Sequence, residues 1–181
     1  MGCILGTVLG LAAWNTTLIY GSSFIRQVFG IPLQTLVLVN IFLTLTYIVG
    51  SLVSSKITKF LGFKKTLLIA AVVLGCFTFF SFNAPSYLLA FILFIPVGFS
   101  AGMIVTVSSS FSLEQIPEFR GTMMSLHSAA TSLGGTLAAS IGGFLLIAYG
   151  YGGYAIVMGI LGIISAVIFQ FLTVEPIRQT L

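Results

Sequence analysis

A chain of 181 residues that is 58% hydrophobic and only 6% charged, with a mean hydropathy of +1.19, cannot clothe a water-soluble surface, since soluble domains carry about 25% charged residues. Its formal charge of +4 comes from seven scattered basic residues, too dispersed to track a nucleic-acid backbone, so nucleic acid is excluded as a partner. The composition points to an all-α integral membrane protein whose first partner is the lipid bilayer.

A bilayer core about 30 Å thick takes roughly 20 apolar residues of helix. Six runs of that kind, separated by charge, Pro or Gly, cover approximately residues 3–25, 33–54, 66–83, 87–111, 122–148 and 154–173. They predict a single six-helix transmembrane bundle over 1–181. The runs are continuous where barrel strands would alternate, which disfavours a β-barrel.

The first run starts almost at residue 1, with no charge before Trp14, unlike the basic start of a secretory signal. MGCILG also places Gly6 where myristoylation needs Ser or Thr. A helix beginning so early suggests a piece of something longer. Gly2, Gly6 and Gly10 fall four apart, and Asn15 sits near the membrane centre. The second run carries Asn40, Thr44, Tyr47 and Ser51 at i, i+4, i+7 and i+11, one helical face. Polar side chains in hydrocarbon face a bundle interior or an aqueous cavity, so this face is a candidate lining.

The third and sixth runs, TLLIAAVVLGCFTFFSF and YAIVMGILGIISAVIFQFL, are nearly featureless and read as lipid-facing. The fourth holds Gly98, Gly102, Thr106 and Ser110 at intervals of four, and the fifth holds Ala130, Gly134, Ala138 and Gly142 likewise. Such small-residue stripes let helix backbones meet closely. Connections after even-numbered runs hold Lys56, Lys59, Lys64, Lys65, Arg120 and Arg178, whereas those after odd-numbered runs hold only Arg26. Basic short loops mark the cytoplasmic side. The expectation is a multi-pass protein of the cell membrane with both termini cytoplasmic.

Two motifs invite a catalytic reading. GFSAG, residues 98–102, matches GxSxG, with Glu114, Glu118 and His127 following in the order used by α/β-hydrolases. A nucleophile elbow needs a strand before the serine, however, and this serine lies inside a helical run. A rhomboid-like intramembrane serine protease using Ser100 is the stronger alternative. Yet at 1.5 Å per residue Ser100 and His127 differ in depth by about 8 Å, beyond hydrogen-bond reach. Ala101 stands where rhomboids want glycine, and the last run has no histidine, so no enzyme is expected. His127 alone remains a candidate proton-handling group. Cys3 and Cys76 share no CxxC spacing, which suggests neither a metal site nor a disulfide, and no cofactor is expected.

The stretch SLEQIPEFRGTMMSLHSAATSLGGTLAASIGGFLL, residues 112–146, resembles the turn and helix joining the fourth and fifth spans in half of a major facilitator superfamily transporter. Pro117, Arg120, Gly121, Gly134, Gly142 and Gly143 match that pattern, with Glu118 inside the turn. SKITKFLGFKK, residues 55–65, resembles the family's basic loop after the second span through Gly62, Lys64 and Lys65. Lys59 and Phe60 replace its acid and arginine, and Ala138 and Ala139 stand where antiporters commonly have Gly and Pro. Such erosion is typical of the C-terminal half, and the fourth run lacks the arginine often found in the first half.

The resemblance implies two inverted three-helix repeats, 2–82 and 86–173. It places the first and fourth helices on the central cavity and the third and sixth against lipid. It further implies transport of a small solute by alternating access, with efflux one possible direction, beside a missing N-terminal six-helix half or a second copy. The candidate substrate-cavity residues are then Asn15, Tyr20, Asn40, Tyr47 and Ser100. A non-transporting structural six-span fragment is the alternative. LEQIPEFRG, residues 113–121, becomes a turn: Pro117 interrupts the helix, Arg120 stays in water, and Glu118 can pair with Arg120 or with the basic loop around Lys64.

Overall fold

In lipid, backbone polar groups must be satisfied within the protein, and a helix does this inside each segment. The computed structural model describes residues 2–115 and 119–173, and among them no strand occurs. The readings made at Pro117, Glu118 and Arg178 lie outside the described residues. The elements are α1 (Gly2–Phe29), α2 (Leu33–Leu61), α3 (Phe63–Phe82), α4 (Tyr87–Gln115) and α5 (Arg120–Leu172). All five are long and apolar enough to cross a membrane.

Local chemistry sets most of the ends. Gly30 takes φ +65 and its N–H bonds Arg26 O at 3.0 Å, closing α1. Pro32, with φ −66 and ψ 153, precedes α2, where its missing N–H costs nothing. Ser86 caps α4, accepting a bond from the Leu89 N–H at 3.4 Å.

Two expected connections are shorter than the sequence suggested. Residues 55–65 are helical except at Gly62, which adopts φ 83 and ψ 164. Their lysines are good helix formers and can extend their ammonium groups to water from a helix end, so charge alone does not end a helix there.

The fifth and sixth runs likewise form one 53-residue element, α5, in which only Gly150 (φ 65, ψ −169) leaves helical geometry. A straight helix of that length would reach about 80 Å, far beyond any bilayer. Instead the chain turns back. Before Gly150, Gly134 lies against Val8 and Ala12, and Gly142 against Tyr20, so this arm runs parallel to α1. After it, the Tyr154 hydroxyl bonds Thr16 O and the Ser165 hydroxyl bonds Gly6 O, so the second arm runs antiparallel.

Small residues carry the crossings. Gly50 and Gly102 bring α2 and α4 into backbone contact: a Cβ on Gly50 would collide with Phe99 O, and one on Gly102 with Tyr47 O. Gly75 meets Gly159 and Gly162, where a Cβ on Gly75 would stand 2.8 Å from Gly159 O. That crossing revises the picture of featureless lipid-facing third and sixth runs. Each has a buried packing face, with Ala70, Leu74, Tyr154 and Met158 in the core, beside an exposed apolar face that includes Phe80 and Ile160. Phe60 and Ile147 are 90% exposed, an arrangement tolerable only where lipid or another protein covers them.

Candidate functional site

Asn15, Ile19, Ser22 and Arg26 recur along α1 at helical spacing and form its uncovered strip, each exposed or half-buried. Interactions on either side of this strip tie it to its neighbours. Toward α2, the Asn40 amide donates to the Ser22 hydroxyl at 2.9 Å and its carbonyl lies 3.1 Å from the same oxygen. The Trp14 and Tyr47 rings also stack at 5.6 Å and 13°. Toward α5, the Asn15 amide lies over Gly135, its nitrogen 3.8 Å from where a Cβ would stand. The Tyr20 hydroxyl donates to Ala139 O at 2.8 Å. Gly142 makes room for that ring, since a Cβ there would sit 2.7 Å from it.

The α2 and α5 surfaces flanking the strip are uncovered too, with polar groups set among exposed aliphatic side chains such as Val37, Ile41, Leu133 and Leu137. Thr44 is exposed beside half-buried Asn40, and both line an open groove of about 370 Å³. On α5, Ser128, Ser132, Thr136 and Ala139 are exposed, opposite the buried Ala130, Gly134, Ala138 and Gly142. The Thr44 and Thr136 hydroxyls donate within their own helices, to Asn40 O at 2.9 Å and Ser132 O at 3.0 Å, whereas a half-buried amide keeps donors and acceptors that lipid would leave unbonded. Asn15 and Asn40 spend one donor each, on Leu11 O at 2.9 Å and on Ser22, although an amide offers two donors and two acceptor lone pairs.

Four of the five proposed cavity residues, Asn15, Tyr20, Asn40 and Tyr47, therefore meet around α1. Ser100 does not join them: it is 2% exposed inside α4. Its GFSAG surroundings form part of a continuous helix, with Gly98 against Thr46 and Gly102 against Tyr47, so no nucleophile elbow exists there. Ser22, Trp14 and the α5 hydroxyls are participants that the polarity reading overlooked. The spacing of Ser128, Ser132 and Thr136 was the available signal.

His127 is 5% exposed, and neither ring nitrogen has a hydrogen-bond partner among the described residues. It shares the buried face of α5 with Met123 and Ala130, which pack on Ile4 and Val8. Of the loop-motif residues, Gly62 joins α2 to α3, half-buried Lys64 and exposed Lys65 open α3, and exposed Arg120 and Gly121 open α5.

Comparison with known proteins agrees with this architecture. The family model described as Major Facilitator Superfamily matches residues 2–180. An uncharacterized MFS-type transporter of Bacillus subtilis (strain 168), YceJ, is 31% identical over 132 residues, which is 72% of this chain and 34% of that protein. The aligned part thus spans about a third of the relative's length. A multi-pass helical bundle with a family match over nearly its whole length admits one assignment: this chain belongs to the Major Facilitator Superfamily.

Proposed function

We propose that this chain is the C-terminal six-span half of a secondary transporter that moves a small solute by alternating access. The observation that carries the reading is the uncovered polar strip of α1, linked to α2 through Ser22 and Asn40 and to α5 through Asn15 and Tyr20. Substrate would bind along this strip, between this bundle and a second six-helix bundle seated against α2 and the first arm of α5.

Six spans follow if the two arms of α5 each cross the bilayer, with Gly150 as their junction. Contact symmetry supports two inverted repeats, 2–82 and 86–173. α1 runs parallel to the first arm of α5, just as α4 runs parallel to α2, where Phe42 meets Phe91 and Ser51 meets Thr106. An in-plane two-fold exchanging the repeats requires this pairing. Lysines 56, 59, 64 and 65 all sit around the α2–α3 junction, which supports cytoplasmic termini in a cell membrane.

Cysteine accessibility tests the cavity without knowledge of the substrate. In a background free of Cys3 and Cys76, Thr44→Cys and Ile19→Cys should react with a membrane-impermeant maleimide in the assembled transporter, and Ile160→Cys should not. Equal protection of all three would sink the cavity. For His127 we propose proton handling: His127→Leu should hold or raise thermal stability, since it removes two unbonded buried nitrogens, while abolishing solute-driven proton movement in proteoliposomes. Retained proton movement would reduce His127 to packing.

A further inference from the structure

The uncovered strip of α1 does not run the whole length of the helix. Ile4 and Val8 continue the face of Asn15, Ile19, Ser22 and Arg26 at helical spacing, yet Ile4 is buried and Val8 half-buried, because α5 crosses the face there. Met123 and Ala130 pack on these two residues, and Gly134 lies over Val8 and Ala12. Past Gly135, which meets Asn15, the arm has moved aside to Tyr20. The start of α5 therefore closes the lysine-bearing end of a strip that is open toward Arg26.

This cover is lightly held. Ile4, Val8, Met123 and Ala130 form a small cluster of their own, separate from the main core. Toward α4, the Ser109 hydroxyl reaches the Met124 sulfur at 3.5 Å, and a thioether is a weak acceptor. His127 stands between Met123 and Ala130 on the buried face, 5% exposed, with neither ring nitrogen bonded among the described residues. A neutral ring there leaves one donor and one acceptor unused; a protonated ring leaves two charged donors with neither water nor an acceptor.

Among the described residues no charged side chain is placed to take up that charge. α1 carries none before Arg26, and its Cys3 thiol turns toward Ser108 and Ser112 of α4. On α4, Glu114 is exposed in a cleft that it shares with Lys59 of α2. On α5 itself, Arg120 is exposed, of the same sign as the protonated ring, and about 10 Å away along the helix axis. A proton on His127 is thus held better once the segment has left α1, and a ligand shifts an equilibrium by that difference in affinity.

We propose that His127 is the pH-sensitive pin of this cover: with its ring neutral α5 lies over Ile4 and Val8, and protonation moves the segment off α1 and opens the lysine-bearing end of the strip. The displacement is a property of the chain and needs no solute; its meaning as a gate rests on the strip being the solute path proposed above. Closure is full above the ordinary histidine pKa of about 6.5 and weakens as pH falls below it, by up to about tenfold per pH unit.

Spin labels at Leu5→Cys and Ser128→Cys, both exposed positions, in a chain free of Cys3 and Cys76, test the movement by pulsed electron resonance in lipid nanodiscs. Between about pH 7.5 and about pH 5.5 the population at longer distance should rise about tenfold relative to the shorter one. His127→Leu and His127→Gln should each hold the closed distribution at both pH values, whereas Glu114→Gln, Glu118→Gln and Arg120→Gln should keep the response. Helix content by circular dichroism shows that each variant is folded. An unchanged distribution in the chain carrying His127, a shift to shorter distance, or a response that survives both His127 substitutions overturns the proposal. If the labels separate while Ile19→Cys resists the maleimide, the switch stands and the solute path falls; the reverse pair of results overturns the switch alone.

Discussion

Asn40 and Ser22 show what a single polar contact does in this bundle: each bonds the other across two helices that share few other contacts. Interhelical hydrogen bonds of this type average about 0.6 kcal/mol in membrane proteins. A double-mutant cycle of Asn40→Ala and Ser22→Ala, read by thermal unfolding in detergent, should return a coupling of that order; strict additivity would show that the pair is not formed. Glycines at crossings should be more sensitive. Gly102→Val drives a side chain into the Tyr47 carbonyl and should destabilise by about 1–3 kcal/mol. Gly121 has open space where its Cβ would stand, so Gly121→Ala should change stability by less than about 0.5 kcal/mol. Gly98 and Gly102 were legible in the sequence, because they recur four apart on one helix. Gly50 and Gly75 stand alone in theirs, and only the chain crossing each of them reveals why a side chain is excluded.

Among the elements, Gly62 and Gly150 define the helix boundaries that the composition blurred. Both adopt positive φ with extended ψ, at (83, 164) and (65, −169), a region open essentially to glycine alone. Gly62→Ala and Gly150→Ala should each cost about 1–3 kcal/mol of stability, measurable as earlier thermal unfolding. Gly150 is the sharper case: nothing lies within 4 Å of its missing Cβ, so any loss must come from backbone strain and not from collision. An unchanged melting temperature would mean that the turn adopts another geometry. The charges over 55–65 and the repeated glycines over 149–153 predict loops, since both ordinarily signal a break. In the structure one residue suffices at each place, because its neighbours retain helical hydrogen bonds right up to the positive-φ glycine.

For the molecule as a whole, the uneven covering of its helices matters most. Half of the most apolar window of α3 or α4 is buried within the bundle, against 22% in α2, and the outer face of α5 before Gly150 is lined with small hydroxyl residues. We predict that these two faces receive the second bundle: Leu52→Cys or Ser132→Cys should crosslink to it when both halves are co-expressed, whereas Ile160→Cys should not. Lipid environment, helical class, the number of apolar runs and the family resemblance were all determined by the sequence, because hydropathy and basic-residue bias act locally and need no knowledge of neighbours. Tertiary structure alone decided that the last two runs double back along α1, that Ser100 is sealed inside α4 while Ser22 reaches Asn40, and that Lys59 and Glu114 share a cleft. Each of these depends on which segments, distant in the chain, are brought side by side, and a linear pattern of apolar and polar residues specifies a buried face without naming the helix that will cover it.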